Sequence, residues 1–356
     1  MAATNAVVGI IDIPGSLDPV DRMHSEVVLH HKSYAGLRGG PRWPDAEIEA
    51  MEQDRMTQHP LRPLVFGEVL YDSFPDGNTV LGGAPFNVAW HLQGFGLSPL
   101  FVSRVGTDAL GKRILAAMSS WGMDTRGVQQ DPDHPTGRVV VNFHDNEPSY
   151  EIVPEQAYDF IAADMVEGLL REEHYALLYH GSLIARHPPA RAALDRLRGA
   201  KIPSFVDVNL RDPWWQLPWL DSALRQARWA KLNEHELRIL ARGHESPAAD
   251  IPVLAAELRR ACGLQVLVVT RGEAGALVLA DEVTAELAPP SRGEIVDTVG
   301  AGDAFSAVTI LGLLNGWPLA ELAKRAVDFA AEVCRMRGAT ASDHDLYKRC
   351  LRKWGV

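Results

Sequence analysis

VDTVGAGDAFSAVTILGLLNG, residues 296–316, places Gly300, Ala301 and Gly302 between two carboxylates at the mouth of a long apolar run. Glycine is a poor helix former, so its clustering at a helix entrance makes the backbone the working surface. The pattern predicts a helix continuing through Leu314, with the first-turn N–H groups of Gly300, Ala301 and Gly302 unpaired and able to converge on an anion. Asp303 then poses a problem, because a carboxylate repels a phosphate. The conflict disappears if Asp303 accepts a proton from an attacking hydroxyl while the amides hold the charge of a transferring phosphoryl group. Kinase chemistry is one reading of this stretch; a glycine-rich helix entrance capped by an aspartate is the other.

From Pro63 onward, apolar runs alternate with helical periods. PLVFGEVLYD, PLFVSRVG, YALLYHGS, IPSFVDVN, ARWAKLN and LQVLVVTRG each read as a buried strand ending in a polar or glycine-containing turn. The alternation predicts an α/β fold, a mainly parallel sheet with helices on both faces, whose ligands bind beyond the carboxyl ends of the strands. TVLGGAP, TGRVVVNFHD and PSYEIVPE lack intervening helices and predict a small antiparallel excursion that acts as a lid. Residues 1–61 differ in texture: they hold His30, His31, a GLRGGPRWP turn cluster and the acidic, helix-like PDAEIEAMEQDRM, and they read as an N-terminal extension with no assigned role.

The chain has 356 residues, a hydrophobic content of 46% and a net charge of -11. Acidity of this order disfavours nucleic-acid binding, and no apolar run is long enough for a membrane span. Arg335, Arg337, Lys348, Arg349, Arg352 and Lys353 read as a solvated C-terminal face. Cys262, Cys334 and Cys350 form no CxxC pair and leave an odd count, which favours a reducing cytoplasm over a disulfide framework. The N-terminus has no basic region of the kind a signal peptide carries.

GTDALGKR, residues 106–113, has the G-x-x-x-x-G-K spacing of a phosphate-cradling loop. Its last position is Arg113, where Ser or Thr would supply a hydroxyl to magnesium. Thr107 and Asp108 before ALGKRILAAM instead predict a helix cap.

DTVGAGDAF resembles the signature of the ribokinase-like sugar kinases, the PfkB family, and LGGAPFNVAWHLQGFG resembles that family's other signature. VGTDALGKRI, VDVNLRDPWW, KLNEHEL and VTRGEAGA fall where the family has corresponding segments, so the resemblance runs from about Leu64 to Ala341. It implies a three-layer α/β/α domain over residues 62–345, with lid segments near 72–84 and 136–156 and a tail at 346–356. It also implies transfer of the ATP γ-phosphate to a sugar hydroxyl, with Asp303 as base and Gly300, Ala301 and Gly302 as the anion hole.

By the same resemblance Asp72, Gly82, Gly83 and Asn87 contact the sugar, a task suited to their hydrogen-bonding groups and to close approach at glycine. Read without it, GGAP is equally an ordinary turn and Asn87 a helix cap. Asn233 and Glu236 match an element that organises magnesium and phosphates through water, and they also spell a capping box. Thr270, Gly272 and Gly275 match the nucleotide-side loop, with Asn209 and Arg211 as phosphate neighbours. Asp297 matches a position that binds a monovalent cation in some members, which leaves potassium open. Trp214, Trp215 and Trp219 read as packing around an irregular helix start rather than a stacking surface. EQAYDFI and FGEVLYDSFP resemble bacterial fructokinase elements and imply fructose. A kinase of 2-keto-3-deoxygluconate, another sugar acid or a nucleoside, and a non-catalytic sugar-binding regulator, are the competing expectations. The resemblance further implies a homodimer built through lid strands.

Overall fold

The computed structural model describes residues 27–29, 62–144, 147–241, 250–281, 283–288 and 295–356. His30, His31 and the acidic PDAEIEAMEQDRM segment lie outside these residues. In chain order the elements are β1 (Val27–Leu29), β2 (Arg62–Phe66), β3 (Leu70–Ser73), β4 (Thr79–Gly82), α1 (Ala84–Gly94), β5 (Leu100–Gly106), α2 (Ala109–Ser120), β6 (Val128–Asp131), β7 (Gly137–His144) and β8 (Glu147–Ile152). Next come α3 (Ala163–Glu172), β9 (Tyr175–His180), α4 (Pro188–Gly199), β10 (Ser204–Asp207), α5 (Leu217–Arg225), β11 (Trp229–Asn233), α6 (Glu234–Leu240), α7 (Ile251–Cys262) and β12 (Val266–Thr270). The chain closes with β13 (Ala276–Ala280), β14 (Val283–Leu287), α8 (Ala301–Leu314), α9 (Leu319–Val333) and α10 (His344–Trp354).

The large sheet runs β1-β14-β13-β12-β11-β10-β9-β2-β5-β6. It is parallel from β6 to β12 and antiparallel across β13, β14 and β1. Strand alternation divides its apolar side chains between two helix layers. Val65, Phe101, Tyr179 and Phe205 pack with α1, α8, α9 and α10, whereas Leu64, Val102, Leu178, Val206 and Leu267 pack with α3, α4, α5 and α7. α8 is buried from Ala304 through Gly312 and Leu313, as an apolar helix without a polar face must be. β2 lies between β5 and β9, so successive connections leave it in opposite directions. That reversal opens a crevice at the carboxyl end of β2.

The small sheet has the order β4-β3-β7-β8. The expected excursion is present but not wholly antiparallel, because β3 and β7 pair in parallel. PLVFGEVLYD, expected as one strand, is two. The chain leaves the large sheet at Gly67, where a Cβ would lie 2.2 Å from Pro85 Cγ, and Leu70–Ser73 joins the small sheet instead. Residues 346–356, expected as a tail, form most of α10: Tyr347 is fully buried against Phe95 and Phe329, and His344 stacks on Trp121. Most of the expected solvated basic residues pair with nearby carboxylates, including Arg335 with Glu332, Arg349 with Asp343 and Lys353 with Asp328.

Candidate active site

α8 opens at the carboxyl edge of the large sheet. Its N-cap is Gly300 in the left-handed region, with φ 80° and no side-chain cap. A Cβ there would lie 2.4 Å from Ala339 Cβ, so glycine is required by conformation and by space. The expected open amides are partly used. Ala301 N–H donates to the Thr298 carbonyl at 3.3 Å in a tight turn, which leaves Gly302 and Asp303 to offer the first-turn N–H groups.

Asp303 is half-buried, and one of its oxygens accepts a 2.8 Å hydrogen bond from Asn87 Nδ2 across 216 residues of chain. The two signature stretches therefore meet at their most polar side chains. Asn87 lies inside α1, whose N-cap is Gly83, so the capping alternative for Asn87 fails. Burial lifts the Asp303 pKa to about 6, aided by Asp207 and opposed by Asn87, Lys231 and Arg211. The group is thus ionised at neutral pH yet basic enough to hold a proton.

Three charged side chains that sequence reasoning passed over complete this region. Lys231 Nζ lies 2.8 Å from both oxygens of Asp207, which also accepts from Tyr179 OH and Ser306 Oγ at 2.9 Å. Burial alone would lower the Lys231 pKa; Asp207 more than offsets it, so the ammonium stays charged. Its nitrogen is 3.6 Å from where a Gly302 Cβ would stand, at the open end of α8. Glu68, just beyond β2, is fully buried, and desolvation raises its pKa to about 7. Each of these residues interrupts an otherwise apolar strand or its exit: GEV, FVDV, AKL. An isolated charge in a run buried on both faces was the available signal.

Four buried polar atoms near this point have no hydrogen-bond partner among the described residues: Glu68 Oε2, Asn87 Oδ1, Tyr158 OH and Arg186 Nη1. Buried polar atoms are nearly always satisfied, so such a set marks where a ligand's hydroxyls belong. Arg186 is held by Asp159 at 2.6 and 2.7 Å and lies between the rings of Tyr158 and Trp214, at 5.1 and 4.7 Å. The YDF of EQAYDFI thus reaches the site through both its tyrosine and its aspartate. Asp72, on β3, has its pKa raised to about 6 by burial and lowered in part by Arg211, and its Oδ2 lies beside Gly82. The charge of Arg211 acts on Asp72, Glu68 and Asp303 alike.

Further along the carboxyl edge, Asn233 and Glu236 form the capping box in full. Asn233 N–H donates to Glu236 Oε2 at 2.8 Å, and Glu236 N–H donates to Asn233 Oδ1 at 2.9 Å. Glu236 Oε1 accepts from Leu210 N–H at 2.8 Å, which ties the DVNLR loop, with Asn209 at φ 35°, to α6. Burial raises the Glu236 pKa despite these donors. Thr270 is the registered neighbour of Asn233 on β12. Gly272 follows it. A Cβ on Gly275 would stand 1.8 Å from the Leu287 carbonyl oxygen, so the β12–β13 turn accounts for that glycine. Asp297 binds two backbone N–H groups, of Val299 and Gly338, at 3.0 Å each. Trp219 packs between helices, and Trp215 Nε1 donates to Asp212 at 2.6 Å.

The arrangement offers a half-buried carboxylate, an adjacent open helix N-terminus, a nearby ammonium and a row of polar residues leading away along the sheet edge. Among the described residues no group of three or more His, Cys, Asp or Glu could hold a metal ion.

Comparison with known proteins agrees with this geometry. The model of the pfkB family carbohydrate kinases matches residues 67–346. A fructokinase from Klebsiella pneumoniae is 30% identical over 298 residues, covering 78% of this chain and 92% of its own. A putative sugar kinase from Pyrococcus horikoshii is 28% identical over 269 residues, covering 72% and 82%. The crystal structure of an uncharacterized sugar kinase from that organism in complex with ATP superposes with a TM-score of 0.67 at 25% identity, covering 78% of this chain and 93% of that one. A fructokinase from Xylella fastidiosa with bound ATP gives a TM-score of 0.70 at 20% identity, covering 83% and 99%, a likeness of fold.

Proposed function

The chain belongs to the pfkB family of carbohydrate kinases and is an ATP-dependent sugar kinase; from that premise we propose that its acceptor is fructose and that Asp303 is the base. The observation that carries the assignment of the base is its placement: a half-buried carboxylate, held by Asn87, in the first turn of an uncapped helix. Asp303 takes the proton of the sugar hydroxyl as that oxygen attacks the terminal phosphate. The N–H groups at the start of α8, with Lys231 beside them, hold the charge of the phosphoryl group in transit. Glu236, already hydrogen-bonded through both oxygens, would hold magnesium through water, and the ion would supply positive charge to the nucleotide phosphates.

Asp72, Gly82, Gly83 and Asn87 receive the sugar, together with Glu68, Tyr158 and Arg186. Fructose is supported by the relatives called fructokinase and by the unpartnered atoms, which call for hydroxyl groups that donate as well as accept. Thr270, Gly272, Asn209, Arg211 and Asn233 take the nucleotide side, and Asp297 is the candidate ligand for potassium.

The small sheet, residues 70–82 and 137–152, acts as the lid that excludes water from the transfer. Its exposed Val80 and Tyr150 support a homodimer through these strands. Three free cysteines support a cytoplasmic location. Residues 1–61 have no assigned role, although Val27–Leu29 among them add β1 to the edge of the large sheet.

The test is ADP release from MgATP against ketoses, aldoses, sugar acids and nucleosides, with and without potassium. Fructose gives the highest kcat/KM. A sugar acid or nucleoside turned over faster would replace fructose, and no turnover on any acceptor would favour a binding protein built on the kinase fold.

A further inference from the structure

GTDALGKR ends in an arginine that the catalytic account does not use. Arg113, on α2, turns toward a cavity of about 520 Å³, within the size range of small-molecule sites. Tyr71, Ala117, Arg337, Ala339 and Thr340 are among the residues that line it. The cavity is separate from the sugar site. Tyr71 and Asp72 are successive residues of β3, so their side chains leave opposite faces of the small sheet.

Its electrostatics run against those of the whole molecule. The chain carries a net charge of -11, yet this cavity is lined by two arginines and no carboxylate. Among the described residues Arg113 donates only to Thr79 Oγ1, at 3.3 Å, and its guanidinium lies 4.8 Å over the Tyr71 ring. Arg337 makes no hydrogen bond or ion pair among the described residues, although neighbouring Arg335 does. Two exposed arginines share this concave surface with no carboxylate among its lining residues, a donor set suited to phosphate oxygens. The Tyr71 ring holds one of them in place.

We propose that this cavity binds a small phosphate-bearing molecule, between Arg113 and Arg337, at a site distinct from the catalytic one. Its wall reaches the catalytic helix from behind. Gly338 N–H donates to Asp297, and Ala339 fills the space against Gly300, so a ligand here bears on the segment that sets the start of α8. The inference rests on the cavity and its charges, not on the identity of the sugar.

The test is calorimetric titration of inorganic phosphate into the full chain, with adenylyl imidodiphosphate and magnesium saturating the nucleotide site so that the start of α8 is occupied. About one equivalent of phosphate binds the wild-type protein. The Arg113→Gln/Arg337→Gln variant loses about tenfold or more in affinity, whereas Arg113→Lys/Arg337→Lys retains part of it. Affinity for the nucleotide analogue, measured alongside, is unchanged in each and reports that the variants are folded. Arg337→Gln alone, which removes no contact within the protein, weakens phosphate several-fold and guards against a folding defect in the double variant. No phosphate binding once the nucleotide site is full, or undiminished binding in both glutamine variants, would overturn the proposal.

Discussion

α2 and α8 both enter through glycines, and both carry an aspartate at the entrance, yet they use their first turns in opposite ways. At α2, Asp108 is the N-cap: Oδ1 accepts from Gly111 N–H at 2.8 Å and Thr136 Oγ1 at 2.7 Å, and Oδ2 accepts from Thr136 N–H at 2.8 Å. A Cβ on Gly111 would lie 1.9 Å from the Gly106 carbonyl oxygen, so backbone fills the space a phosphate would need. Burial works against the Asp108 charge, but these donors overcome it and hold its pKa below the ordinary value. At α8 no side chain caps the helix, and Asp303 points to Asn87. With a single side-chain donor against desolvation, its pKa rises to about 6. Spacing of glycines therefore does not identify a phosphate loop. What decides is whether the first-turn N–H groups are already taken.

The contrast can be broken most directly at the two aspartates. Asp303→Asn keeps the shape and the contact with Asn87 but removes the base, and turnover falls by about 10³ to 10⁴-fold with nucleotide affinity retained. ADP release and analogue binding measured side by side check this. Near-normal turnover would remove Asp303 from its role. Next in size is Lys231→Met, which leaves Asp207 buried with hydroxyl partners only. A loss of roughly 3–5 kcal/mol in urea unfolding is expected.

A third effect separates the two sites by pH. A carboxyl whose folded pKa exceeds its unfolded value adds stability below the unfolded pKa and loses it as pH rises through the folded one. For Asp303 that window runs from the ordinary value of 3.8 to about 6. Asp303→Asn is therefore more stable than the wild type at pH 8, by about 2 kcal/mol, and the gain fades toward pH 4. Asp108, with its lowered pKa, has the opposite sign: it stabilises at neutral pH. Asp108→Ala gives the smallest change, a loss of about 1 kcal/mol at pH 7 from the missing cap, with turnover unaffected. A collapse of turnover in this variant would place catalysis at the wrong helix.

Much of this was legible in the sequence because it was written locally. Six apolar runs announced a parallel sheet, and the glycines of residues 297–305 announced a helix start without a cap. The break at Gly67 was not legible, since it depends on Pro85 of another element crossing that point. Nor were β13 and β14, whose short apolar stretches have no helix to set them apart and take their pairing from β12. Asp72 and Asn87 came from the family resemblance, whereas Asp303 was already legible from its place among the glycines of a helix entrance. Glu68, Asp207 and Lys231 were missed because each looks like a lone charge in a strand. Only the fold reveals that Lys231 and Asp207 neutralise one another, and that Glu68 has an oxygen with no partner among the described residues.

Two desolvated carboxyls, Asp303 with a pKa of about 6 and Glu68 with one of about 7, compete for the part of proton acceptor. The pH dependence of kcat/KM for the sugar, measured in the wild type, Glu68→Gln and Asp303→Asn, decides between them. The account predicts that the wild type and Glu68→Gln rise with pH through an apparent pKa near 6 and level off above it. Asp303→Asn, assayed at higher enzyme concentration, lacks the rise. A rise that persists in Asp303→Asn and vanishes in Glu68→Gln would contradict the assignment of Asp303 as the base.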